Sequence, residues 1–250
     1  MEFVDYKCLE SLLIEGEEII ATEGFGDRLR EIITNLLRKL NKFLISSLIN
    51  FITLLNKLLV KFKNKKAGIK NTLLSKQNDW RAKKYYPFLK QALTNIPDHI
   101  IDLTEKTTMI SYFNENLSLK IDSMIENNND ILYEYTSKFD VITSVVNGTY
   151  IHLNDEDYEE LTKLIETQKP KLEKCIDELK RTLEKSIKYT ESSKNNYNET
   201  IMSKTQKYYT ETTKMMNQFN TLFNNIVNFT TKYVTNEPLY EDPRFTFDAK

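Results

Sequence analysis

The chain has 250 residues, a net charge of −1, 40% hydrophobic and 28% charged residues, and only five Gly and five Pro. So few turn formers exclude an all-β domain of this length, and no Gly-rich phosphate turn is present for a nucleotide-binding fold. Two His and two Cys exclude a zinc cluster and a disulfide scaffold.

The near-neutral total conceals three blocks of charge. Residues 1–26 carry −6, residues 27–90 carry +13 and residues 91–250 carry −8. Blocks of opposite sign on this scale point to separate tasks for separate segments.

Residues 1–26 are an acidic leader. No basic region precedes an apolar run, so a secretory signal is not expected. Leu9, Leu12, Leu13, Ile19 and Ile20 predict a short acidic helix, ended by Gly24 and Gly26. Asp27 is then the expected N-cap of the next helix.

Residues 27–66 carry the strongest helical pattern. Leu29, Ile33, Leu36, Leu40, Phe43, Ser47, Phe51, Leu54, Leu58 and Phe62 recur at three- and four-residue steps. Ile32, Leu37, Leu44, Leu48, Ile52, Leu55 and Leu59 widen the stripe. Both ends are basic, and no charge falls between Lys42 and Lys57. That window holds Ser46, Ser47, Asn50, Thr53 and Asn56, so the helix reads as amphipathic, not spanning. Three uses fit it: a buried core helix with snorkelling lysines, a membrane-surface or pore-forming helix, and a helix packed in an oligomeric shell.

Residues 67–97 read as a basic connector with short helices, punctuated by Gly68, Pro87 and Pro97. Trp80, Tyr85, Tyr86 and Phe88 lie among Arg81, Lys83, Lys84 and Lys90. Aromatics among cations suit phosphate contact and base stacking, or a helix–turn–helix corner under an aromatic lid. The residues expected to meet DNA phosphate or a membrane are Arg28, Arg30, Arg38, Lys39, Lys42, Lys61, Lys63, Lys65, Lys66, Arg81, Lys83 and Lys84.

Residues 98–235 are expected to form a long-helix bundle. Pro97 suits the first position of its first helix. Ile110, Phe113, Leu117, Ile121, Met124, Ile131, Tyr135, Phe139, Ile142 and Val146 form a heptad-like seam, with a fray or kink expected at Asn127–Asn129. Tyr150–Leu153 is too short to be more than a loop. Asn154 is expected to cap a helix whose first turn is Asp155, Glu156 and Asp157, and Pro170 to interrupt or restart that helix. From Leu172 to Tyr233 the seam keeps a 3.5-residue period, predicting one helix of about 60 residues and about 90 Å. Thr190, Lys194, Thr205 and Thr212 make its middle polar and weaker. Residues 236–250 are expected as an extended tail, with a short strand at Phe245–Phe247. The fold class is therefore all-α: an elongated, coiled-coil-like helical bundle with a long C-terminal helix.

No set of residues supplies a base, a nucleophile and a charge stabiliser at a defined spacing, so an enzyme is not expected. His99 and His152 are isolated, as are Cys8 and Cys175. No cofactor or metal is expected.

One motif carries a mechanism. Ala21-Thr22-Glu23 is followed by Gly24, at the border between the acidic leader and the basic helix. An acidic leader, a small-X-Glu triplet, a Gly and a basic amphipathic helix resemble the propeptide junction of virion proteins from large tailed bacteriophages. Leu13-Ile14-Glu15 before Gly16 is a second, weaker match. The resemblance covers about residues 10–60. It implies a structural protein internal to the head, cut after Glu23 by a prohead protease. It also implies other virion proteins and packaged DNA as partners, assembly in the host cytoplasm and residence in the capsid interior. A membrane-active helical protein and a coiled-coil adaptor, either of them able to form a homo-oligomer, are the alternative readings.

Overall fold

In a computed structural model, the described residues are 25–63, 76–110, 117–144, 150–192 and 199–235. They form an all-α bundle of five helices: α1 (Phe25–Lys63), α2 (Lys76–Ile110), α3 (Leu117–Thr143), α4 (Asp155–Ser192) and α5 (Glu199–Tyr233). Two short strands, β1 (Ile151–His152) and β2 (Val234–Thr235), complete the fold.

α1 lies against α4 and α5, α2 lies against α4 and α5, and α3 covers the α2–α5 side. Cross-helix pairs give the directions. Asn50 meets Asn220, Phe51 meets Phe223 and Lys57 meets Asn228, a near-constant offset that makes α1 and α5 parallel. Phe62 meets Tyr158 while Asn41 meets Leu179, so α4 runs antiparallel to α1. Asn95 meets Tyr135 and Phe88 meets Phe139, so α3 runs antiparallel to α2.

The stripe on α1 is core. Leu29, Ile33, Leu36, Leu40, Ser47, Phe51, Leu54, Leu58 and Phe62 are buried, as are Leu37, Leu44, Leu48 and Leu55. The stripe is wide because α1 fills the groove between two helices, and each needs its own contact line. At the other end of the core, Tyr85, Phe88, Phe139 and Phe229 form an aromatic cluster with tilted, stacked and edge-on contacts. The buried Tyr85 hydroxyl bonds Thr230 Oγ1 at 2.6 Å. Thr230 Oγ1 donates to Ile226 O, so Tyr85 is the donor of that pair. Burial pushes the Tyr85 phenol far up from its usual value.

Several expectations are corrected. The arrangement is a bundle, not a coiled coil. A coiled-coil seam buries two positions in seven, whereas α5 also buries Tyr209, Met216, Phe223, Val227 and Thr230 beside its seam, because it faces α1, α2 and α3. The single 60-residue helix is instead two helices, α4 and α5, each packed on α1. Residues 76–97 of the basic connector are part of one continuous helix, α2, with no corner in it, and residues 67–75 lie outside the described residues. Pro87, Pro97 and Pro170 sit inside helices rather than at their ends. Pro87 and Pro170 are exposed, so the carbonyl each leaves without a helical partner can face water. Near buried Pro97, Gln168 Nε2 donates to Thr94 O at 3.3 Å, a tertiary bond to backbone beside the proline. α3 runs without a break through Asn127–Asn129, with Asn128 buried. Helix α1 starts before Asp27, which lies in its first turn and pairs with Arg30 at 3.1 Å.

The Asn154 cap forms as expected, and reciprocally: Asp157 N donates to Asn154 Oδ1 at 2.7 Å and Asn154 N donates to Asp157 Oδ2 at 3.1 Å. Ile151–His152, expected as loop, pairs in parallel with Val234–Thr235, and Leu153 N donates to Thr235 O at 2.9 Å. Ile151, Leu153, Val234 and Thr235 are buried, so this short ladder closes one end of the core. The leader helix, the tail and the strand expected at 245–247 lie outside the described residues.

Of the polar middle of the C-terminal seam, Thr205 and Thr212 are buried in the bundle, and the Thr212 hydroxyl has no hydrogen-bond partner among the described residues; the Thr190 side chain and Lys194 lie outside them. Thr212→Val keeps the shape and removes the uncompensated hydroxyl. It is expected to raise the unfolding free energy by about 1 kcal/mol, read from urea denaturation.

Candidate functional site

The residues expected to meet phosphate or membrane do not gather into one patch. Arg28, Arg38, Lys39 and Lys42 are exposed on the first half of α1, with Arg30 half-buried. Arg30 pairs with Asp27, and Arg38 Nη1 donates to Asn35 Oδ1 at 3.3 Å. Lys61 and Lys63 sit at the far end of α1, about 50 Å from Arg28 at 1.5 Å per residue. Lys63 is held by Glu166 of α4 at 2.6 Å. Lys83 and Lys84 are exposed on α2. Arg81 lies in α2 with its side chain outside the described residues, and Lys65 and Lys66 lie outside them altogether. Ala21, Thr22, Glu23 and Gly24 also lie outside, directly before the first residue of α1.

The aromatics of α2 are not a stacking platform. Tyr85 and Phe88 are buried in the core. Tyr86 donates to Glu160 Oε2 of α4, and Lys90 Nζ bonds Glu160 Oε1. With Lys171 to Asp98 at 3.0 Å, these contacts strap α2 to α4 along its outer edge. The sequence held no signal for this strap, because its partners lie 70 or more residues apart.

Hydrogen bonds from Lys90 and Tyr86 lower the Glu160 carboxyl below its usual value. A depressed carboxylate contributes stability above the ordinary carboxylate range and loses it as pH falls through the lowered value. Glu160→Gln is therefore expected to lower stability slightly at neutral pH and to leave it nearly unchanged below the lowered value, which flattens the acid limb of the stability–pH curve. Thermal unfolding at stepped pH from 7 down to the lowest value that keeps the fold reads this.

α1 is the one described helix long and apolar enough to cross a membrane, and 39% of its most apolar window is buried. Its core stripe is fully used. The opposite face keeps Ile49 at 51% and Val60 at 58% exposure, with Ile45, Ile52 and Leu59 half-buried beside them. Buried Cys175 has its thiol pushed up to about 12, chiefly by desolvation, which disfavours the thiolate. Among the described residues, no three His, Cys, Asp or Glu side chains are grouped as metal ligands would be.

No protein-family model matches the chain, and no curated protein and no solved structure matches it.

Proposed function

We propose that the chain is a non-enzymatic structural protein of a tailed-phage virion, internal to the head, and cut after Glu23. The observation that carries this reading is the position of the junction. The Ala21-Thr22-Glu23 motif lies at the border between the acidic leader and the basic helix, ahead of α1. A cut there keeps all five described helices. It also removes six net negative charges, taking the chain from −1 to +5 over 227 residues. Arg28, Arg38, Lys39 and Lys42 stand exposed close to the new N-terminus. Positive charge at that end suits non-specific contact with packaged DNA. Its protein partners are other virion proteins and, during assembly in the host cytoplasm, the prohead protease. Protease treatment of purified particles tests the location. The chain should resist digestion until the heads are opened; digestion on intact particles, or absence from particles, would refute an internal position.

A second reading is favoured by one feature, the uncharged outer face of α1 around Ile49 and Val60 flanked by lysines. It suits a membrane surface. Salt-resistant flotation with anionic vesicles is the result that would favour it over the first.

A further inference from the structure

Among the described residues, the large hydrophobic side chains left exposed are Ile49 and Val60 on α1 and Tyr133 and Val141 on α3. They fall on two helices that pack on different neighbours: α1 on α4 and α5, α3 on α2 and α5. Tyr133 is 77% and Val141 65% exposed, well beyond what a scattered half-covered surface residue shows. The two faces carry opposite charge. On α1, Arg38, Lys42, Ile45, Ile49, Val60 and Lys63 share the outward face by helical spacing. On α3, Glu126, Asp130, Tyr133, Glu134, Asp140 and Val141 do, all of them exposed, with exposed Lys138 at the border paired to Glu134 at 2.6 Å.

We propose that these two faces are the halves of a head-to-tail contact between copies of this chain. The apolar pairs are comparably spaced, about 16 Å from Ile49 to Val60 and about 12 Å from Tyr133 to Val141 along their helices. Cations flank the first pair, and four carboxylates against one lysine surround the second. The α3 face does not suit a copy of itself: an antiparallel α3–α3 contact that pairs Tyr133 with Val141 sets Glu134 against Asp140. A basic–apolar face meeting an acidic–apolar face satisfies both. Such a contact uses a different surface on each copy, so it leaves one face of each kind open and continues into a ring or a filament. One helix pair covers less than a standard interface, so association is weak and driven by concentration. The contact does not require the cut after Glu23, so a failure of the processing proposal leaves it intact.

Sedimentation velocity on the full chain tests it. The weight-average mass should rise between about 10 µM and about 1 mM, and fall back as salt screens the charges. Ile49→Glu spoils the α1 face and Tyr133→Lys the α3 face; both positions are exposed, and the helical circular dichroism signal checks folding. Each variant alone should stay monomeric. Mixed one to one, they should form a dimer and nothing larger, because each supplies the face the other lacks. Val60→Glu with Val141→Lys repeats the design at independent positions. A full chain that is monomeric throughout would overturn the proposal. So would a mixture no heavier than its components, or association lost through the α1 variants alone, which would point to an α1–α1 contact instead.

Discussion

Phe51→Ala is expected to lower the stability of the bundle by about 3–5 kcal/mol, and Ile49→Ala, two residues away on the same helix, to change it by less than about 0.5 kcal/mol. The contrast follows from helical phase. Phe51 is fully buried and packs its ring against Phe223 of α5, with centroids 5.0 Å apart. Truncating it removes that contact and leaves a cavity that Leu48, Leu55 and Phe223, themselves packed on fixed helices, can only partly close. Ile49 points the other way and is half exposed, so its truncation alters little of the core. Urea unfolding followed at the helical signal measures both. Equal, small effects would mean that α1 is not the central element of the folded protein and that its apolar stripe serves another surface.

A chain beginning at Gly24 is expected to bind duplex DNA non-specifically where the full chain does not. The cut changes the net charge from −1 to +5 without touching the exposed Arg28, Arg38, Lys39 and Lys42. If about three of these cations meet phosphates, log K should fall with log salt at a slope of about −3, roughly a 50-fold loss between 50 and 200 mM. Arg38→Glu with Lys42→Glu should lower both the affinity and the slope, while Lys63→Glu, at the far end and already paired with Glu166, should change neither much. Fluorescence anisotropy with a labelled duplex across a salt series reads all of these. Equal binding by the full and shortened chains would remove the electrostatic role assigned to the acidic leader.

Much of the fold is legible wherever a helix keeps one continuous buried stripe. The stripe from Leu29 to Phe62 predicts the buried face of α1 almost residue by residue; Phe43 is only half-buried while adjacent Leu44 is fully buried, as a 3.6-residue helix drifts off a 3.5-residue seam. The Asn154 cap is legible because capping is local chemistry. What misleads is information that lives between distant segments. Leu172 to Phe229 keep one seam across α4 and α5, so the pattern carries no mark of their separation, and residues 191–198 hold neither Gly nor Pro. The prolines of α2 and α4 read as breaks, yet a long packed helix tolerates the lost bond where the freed carbonyl can face water, as beside exposed Pro87 and Pro170. The β1–β2 ladder joins residues more than 80 positions apart through two residues on each side, too short for any periodicity to reveal. Of the candidate contact residues, the basic character was readable but their grouping was not: helix length separates Arg28 from Lys63, and Glu166, invisible as a partner in the sequence, occupies the latter.

The central claim is that this chain is matured by a cut at the border of its acidic leader and basic helix. Intact-mass and N-terminal peptide analysis of the protein taken from purified particles tests it most directly. The predicted result is a 227-residue chain beginning at Gly24. A particle-bound chain that still begins at Met1 would contradict it.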